Sequence, residues 1–171
     1  MDHDRTLADV IAPGLTVLFC GINPGLLSAS LGFHFARPGN RFWPALHKSG
    51  FTPRQFQPEE QNELLTLGLG ITNVVERATA GAAELKPAEY RAGGEALRAK
   101  VLEYRPRWLA VLGIGAYRVA FEAPKAVIGR QEATIGDTGL WVLPNPSGLN
   151  ALWTPPKLTA AFASLRETAA H

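Results

Sequence analysis

Leu15-Thr16-Val17-Leu18-Phe19-Cys20, followed at once by Gly21-Ile22-Asn23-Pro24-Gly25, is the stretch on which the fold turns. A short apolar, β-favouring run that ends in a Gly- and Pro-containing turn reads as a buried strand with a loop leaving its C-terminal end. The same pattern returns late in the chain, where Leu140 to Leu143 leads into Pro144-Asn145-Pro146-Ser147-Gly148-Leu149-Asn150. Open α/β sheets hold their sites in loops at that end of their strands. These two loops are therefore the first candidates for function.

Working outward, strands and helices alternate. Asn40 is a plausible cap for a helix over Arg41 to Ser49, which Gly50 ends. Pro58 to Leu67, with Glu59 and Glu60 in its first turn and Gly68 as its stop, reads as a second helix. Ile71 to Val75 is a short strand, and Pro87 opens a long helix to about Tyr104 that Pro106 closes. Trp108 to Leu112 is a continuous apolar strand, Gly115 to Phe121 a short helix and Trp141 to Leu143 the last central strand. Leu158, Phe162 and Leu165 share one face of a closing helix over Pro156 to Thr168. Ala78 to Leu85 reads as a surface loop. Gly32 to Gly39 is irregular too, yet it holds Phe33, His34 and Phe35 beside the first motif. Apolar strands separated by helices imply a single three-layer αβα domain with a mostly parallel central sheet.

Composition bounds the function. The 171 residues, 46% hydrophobic and 19% charged, suit one domain spanning 1–171, with a flexible N-terminus expected over 1–10. The apolar runs fall far short of the roughly 20 residues that span a bilayer. Met1-Asp2-His3-Asp4-Arg5 lacks the apolar core of a signal peptide, and a single cysteine, Cys20, permits no intrachain disulfide and no four-thiolate metal site. A cytoplasmic location is expected, with Cys20 as a small buried apolar residue. The net charge of +2 permits a nucleic-acid partner without demanding one. Arg98, Lys100, Arg105 and Arg107 read as a solvated helix end rather than a phosphate site.

The segments GINPG (21–25), GFHFARPGNRFW (32–43), GITNVVER (70–77), VLG (111–113) and LPNPSGLN (143–150) together resemble the mismatch-specific uracil DNA glycosylases. That family stands with the thymine DNA glycosylases in the uracil DNA glycosylase superfamily. The resemblance implies a uracil-DNA glycosylase-like fold and a monofunctional enzyme of base excision repair. Such an enzyme flips uracil, thymine or ethenocytosine out of guanine-mismatched double-stranded DNA and leaves an abasic site. It also implies no cofactor, no metal, and a monomer whose partner is duplex DNA.

The chemistry can be weighed against the residues. Breaking an N-glycosyl bond to a pyrimidine builds positive charge on the sugar and negative charge on the departing base, so a site needs an oriented water and donors toward the base. Asn23 can hold a water by its carbonyl and contact a base by its NH2, but it cannot accept a proton at neutral pH. By itself it reads equally as a turn residue before Pro24; the resemblance makes it the water-positioning residue and Asn145 a second catalytic amide. Phe35 is either a plug over the core or a stacking platform for a flipped pyrimidine. The resemblance assigns it the platform, with the backbone near Ile22 and Phe35 reading the base edge and Ser28 and Asn73 near the C5 edge. Here Asn73 departs from the lysine of the bacterial pattern and matches thymine-processing relatives.

Extrusion leaves a hole in the base stack, which apolar wedges commonly fill. Leu149 suits this, with Gly148 and Asn150 presenting polar groups to the widowed base and Ser147 to a phosphate; ordinary core is the competing reading of Leu149. No GxSxG elbow surrounds Ser147, so it is not read as a nucleophile. The chain departs from the family it resembles at Ala151-Leu152-Trp153, which lacks the basic residue often found near the wedge, so duplex affinity is either weaker or supplied by Arg37 and Arg41. Arg41 and Glu76 are secondary candidates. Glu76 orients water or offsets sugar charge, or else pairs with Arg77 or a neighbouring helix. His34 reads as a surface loop residue. Two other classes stay open. One is a nucleotide-binding domain, although Gly113-Ile114-Gly115-Ala116-Tyr117 lacks the third fingerprint glycine and no P-loop occurs. The other is a non-catalytic binder of mismatched DNA.

Overall fold

The computed structural model describes residues 6–170. Five strands form one sheet: β1 (Val17–Gly21), β2 (Leu69–Asn73), β3 (Trp108–Leu112), β4 (Gly129–Ile135) and β5 (Thr138–Leu143). Their order is β2-β1-β3-β5-β4, with every pair parallel except β4–β5. The five α-helices are α1 (Leu26–Leu31), α2 (Phe42–Lys48), α3 (Pro87–Tyr104), α4 (Ile114–Ala120) and α5 (Pro155–Ala169). This is the expected three-layer arrangement.

The pleat divides the core into two. Val17 and Phe19, with Ile71, Ala110 and Leu143, face α2 and α5, while Leu18, Cys20, Leu109 and Val142 face α3 and α4. Every residue of β1, β2 and β3 is buried, which is why β1 and β3 read as apolar runs, while β2 buries Thr72 and Asn73 as well. On the first face Phe19 meets Phe42 edge-on with ring centroids at 5.5 Å and lies 6.0 Å from Phe162. That contact fixes α2, and therefore the loop before it, against the sheet.

The register sets the ends of the central strands level. Gly21 pairs with Asn73, and Leu112 with Leu143. Chain order diverges at β1, with β2 on one side and β3 on the other, so the C-terminal edge beside β1 is a switch point where a crevice opens.

Several boundaries differ from expectation. Two elements were not anticipated. The strand β4 is an edge strand whose Arg130, Gln131 and Glu132 leave no apolar run to detect, and α1 is a six-residue helix with only Ser28 and Ala29 buried. Pro58–Leu67 is a 3-10 helix, and β2 begins at Leu69 rather than Ile71 because it pairs with β1 from Val17 onward. In the segment 78–85, Ala78 and Thr79 are buried, the Thr79 N–H donates to Pro24 O at 3.1 Å, and a 3-10 turn covers Ala82–Glu84. Of the flexible stretch expected over 1–10, residues 1–5 lie outside the described residues. The remainder is packed: Leu7 and Val10 are buried, and Val10 exchanges two backbone hydrogen bonds with Ile71.

Candidate active site

The loop leaving β1 carries Asn23, and the loop leaving β2 decides how its amide points. The two N–H groups of Asn23 Nδ2 donate to Arg77 O and to Thr79 Oγ1, each at 2.8 Å, and Thr79 Oγ1 in turn donates to Gly81 O at 2.9 Å. A carbonyl can only accept, so the amide orientation is settled. Among the described residues nothing donates to Asn23 Oδ1, which remains as the unspent acceptor. The expectation that the NH2 group contacts a base is thereby corrected: its hydrogens are used by the protein. Below, the Arg77 guanidinium grips Glu89 at 2.8 and 3.0 Å, and these bonds hold the Glu89 carboxyl down to about 2. Glu76 is exposed, lies away from the cavity wall and makes neither of the contacts considered for it, since Arg77 pairs with Glu89.

A second wall is built from the loop between α1 and α2. Phe35 stacks on Phe42 with centroids at 4.3 Å and planes 24° apart, and it adopts φ +53°, a left-handed conformation rare for a bulky side chain. Buried side chains hold it there. Gln61, reaching from the 3-10 helix, donates to Gly32 O at 3.1 Å and accepts the His34 N–H at 2.8 Å. Ser28 Oγ accepts the Ala36 N–H at 3.0 Å, and Trp43 Nε1 donates to His34 O at 3.1 Å. Gly21 is required where the ring crosses the strand end, because a Cβ there would lie 2.6 Å from Asn73 Oδ1 and 3.2 Å from Phe35 Cζ. Among the described residues the Phe35 N–H and C=O and the Asn73 amide have no hydrogen-bond partner, whereas Ile22 O accepts the Val75 N–H.

His34 is not the surface residue expected from its loop. It is 2% exposed, its Nε2 meets Ala8 O at 2.8 Å, and burial lowers its pKa. The packed N-terminal segment covers it, which no local pattern could reveal. Cys20 is buried as expected, and burial pushes its thiol pKa up.

The third wall is the loop leaving β5. Asn145 Oδ1 accepts the Ser147 N–H at 2.9 Å and Ser147 Oγ the Leu149 N–H at 3.2 Å, two side-chain-closed turns. Asn150 Nδ2 donates to Asn145 O, and its Oδ1 accepts from Leu152 and Trp153. The Asn150 oxygen and one of its two N–H groups are therefore used inside the loop, which leaves one N–H for a partner base. Leu149 is 78% exposed, so it is not core. Gly148 packs so close to the turn before α2 that a Cβ would lie 2.5 Å from Gly39 O. Three of the five N–H groups of the Arg41 guanidinium donate to carbonyls of this loop, which leaves Nε–H and one Nη2–H for the phosphate contact expected of it. Arg37 is exposed and, among the described residues, unpaired.

These walls enclose a cavity of about 290 Å³. Ile22, Asn23, Ser28, Phe35, Asn73, Asn145, Ser147 and Leu149 all line it, whereas Gly148, Asn150, Arg41 and Glu76 do not. Leu7, His34 and Thr79 also line it; His34 stood out only as part of the loop beside the first motif, and Leu7 and Thr79 had no signal in the sequence. Among the described residues no carboxylate lines it. A larger groove of about 590 Å³ on the far side of the Phe35 loop shares only Phe35, Arg37 and Asn40 with it and holds neither catalytic candidate. Among the described residues no group of three or more His, Cys, Asp or Glu could hold a metal ion, and no helix is long and apolar enough to cross a membrane. The cavity can thus orient a small polar molecule, stack a flat ring and stabilise an anion, but it offers no carboxylate base.

A family model for the uracil DNA glycosylase superfamily matches residues 8–166. Among solved structures the chain is similar to the solution NMR structure of a "putative Uracil DNA glycosylase" from Methanosarcina acetivorans. The two are 20% identical over 95% of this chain and 98% of that one, with a TM-score of 0.61, a likeness of fold.

Proposed function

Because this chain belongs to the uracil DNA glycosylase superfamily, whose members hydrolyse N-glycosyl bonds in DNA, we propose that it is a monofunctional glycosylase of base excision repair. It flips uracil out of guanine-mismatched duplex DNA and removes it with water, leaving an abasic site. Thymine and ethenocytosine are further candidate bases.

The observation that carries this reading is the state of Asn23. With both N–H groups committed to Arg77 O and Thr79 Oγ1, its Oδ1 is left to hold a water in a cavity without a carboxylate. Water then attacks the sugar carbon as the glycosyl bond breaks and its electron pair leaves with the pyrimidine as an anion; the proton shed by the water passes to solvent or to the departed base. An amide orients water without taking its proton, so the rate comes from positioning and from stabilising the leaving base, and the chemistry is slow. Phe35 stacks on the flipped base, its unpartnered backbone groups and those near Ile22 read the edge, and Ser28 and Asn73 border C5. Asn145 keeps its Nδ2 as a donor. Leu149 fills the vacated stack, with Ser147 and Arg37 toward phosphates. The enzyme works as a monomer in the cytoplasm without a metal or organic cofactor.

Single-turnover cleavage of end-labelled duplexes carrying G:U, A:U, G:T or ethenocytosine, with alkali to reveal abasic sites, tests the reading. Excision of uracil opposite guanine is expected. Binding to the same duplexes with no excision would replace the enzyme with a non-catalytic lesion binder.

A further inference from the structure

The turns that shape the β5 loop are local; each joins residues no more than five apart between Asn145 and Trp153. They close the loop on itself without fixing how it faces the cavity. Gly148 packs against Gly39, and among the described residues the hydrogen bonds that tie the loop to the body of the protein come from one residue. Arg41 Nη1 donates to Asn150 O and to Trp153 O, each at 2.9 Å, and Nη2 to Gly148 O at 3.1 Å. The Arg41 N–H adds a bond to Pro146 O at 2.8 Å. Among the described residues no carboxylate pairs with this guanidinium, so its directed N–H groups serve backbone alone.

From these contacts we infer that Arg41 is the positioning residue of the wedge, holding Leu149 presented toward DNA before the duplex arrives. Leu149, 78% exposed, has almost no protein surface to rest against, so its place is set by its backbone. A planar fork can gather three carbonyls at once, whereas a lysine offers a single point of charge. Rigid presentation removes the ordering cost that a floppy loop would bear on binding. Losing the fork leaves surface carbonyls that water can satisfy, so the loop loosens while the fold survives. The functional half of this inference rests on the glycosylase reading.

The test compares Arg41→Ala, Arg41→Lys, Leu149→Ala and the Arg41→Ala/Leu149→Ala double variant, on uracil opposite guanine in a duplex and on the same uracil in a single strand, where no stack must be opened. Arg41→Ala is expected to slow the duplex reaction on the order of ten-fold and the single-strand reaction several-fold less. Arg41→Lys should not restore the duplex rate, and the double variant should be no slower than Leu149→Ala, since Arg41 acts through Leu149. Equal losses on both substrates, full rescue by lysine or multiplying effects in the double variant would overturn the inference. Amide hydrogen exchange decides it separately: the Leu149, Asn150, Leu152 and Trp153 N–H groups should exchange on the order of ten-fold faster in Arg41→Ala, with Thr79 unchanged. Unchanged loop protection would overturn it. Failure of the unaltered protein to excise uracil from either DNA would instead count against the glycosylase reading, with exchange still deciding the clamp.

Discussion

The two loops that face each other across the cavity are held by opposite means. The Phe35 loop is pinned by buried side chains from three directions, Gln61, Ser28 and Trp43, tightly enough to keep a phenylalanine in a left-handed conformation. The Leu149 loop closes on itself through short-range turns and is hydrogen-bonded to the body chiefly through Arg41, by its partly exposed guanidinium and its N–H, with its leucine in solvent. Strain persists only where surroundings over-determine it, so the first loop is built to be one shape. The second carries an apolar side chain with nothing to bury it in the free protein, the expected state of a group whose contacts come from a partner.

If the contrast holds, damage on the cradle side should cost chemistry and stability together, while damage on the wedge side should cost only work on paired DNA. The largest effect belongs to Asn23. Asn23→Ala removes the water-holding acceptor and should lower single-turnover excision by about 10²–10³-fold. Duplex affinity, read by fluorescence anisotropy, should stay close to that of the unaltered protein; undiminished excision would remove Asn23 from the mechanism. Gln61→Leu follows, because it strands the buried His34 N–H and Gly32 C=O. A loss of about 1–3 kcal/mol in denaturant unfolding is expected, with excision falling on single strands as well as duplexes. An unaffected single-strand rate would show that Phe35 does not need its pinned loop.

Leu149→Ala should be gentler. Its stability should change by less than about 0.5 kcal/mol, as for an exposed residue, while excision slows on the order of ten-fold, and most for uracil in a well-paired duplex. A stability loss as large as that of Gln61→Leu would erase the difference between the loops. The smallest effect is electrostatic. Glu89 lies below its usual 4.5, at about 2, because the Arg77 guanidinium and then the Lys86 N–H bond its carboxylate. The support it gives is therefore complete above 4.5 and is lost as pH falls toward 2. Exchange of the Thr79 N–H, beside the Asn23 anchor, should quicken across that window. Glu60 titrates over the same range through Arg54, so Glu89→Gln, which should flatten the Thr79 response alone, separates the two.

How much of this could be read in advance differs by element. The helix Pro87–Tyr104 and the strand Trp108–Leu112 have the bounds expected of them, because a proline start and an unbroken apolar run are local signals. The strand β4 was invisible because an exposed edge strand need not be apolar. Likewise eight of the twelve candidate residues line the cavity, while Gln61 gives no local hint that it crosses to Gly32 and His34.

The order of residues alone therefore determined the architecture and the kinds of group on hand: apolar runs that must be buried on both faces, rigid turns after them, and amides and an aromatic ring in those turns. Tertiary structure alone decided which atoms remain free to act. Asn23 keeps its oxygen because Arg77 and Thr79, 54 and 56 residues away, take its hydrogens. Arg41 turns three of its N–H groups inward because Gly148, Asn150 and Trp153, 107 to 112 residues away, offer carbonyls to its fork. Burial periodicity is written locally along a chain, but a hydrogen bond exists only once folding brings its two ends within about 3 Å.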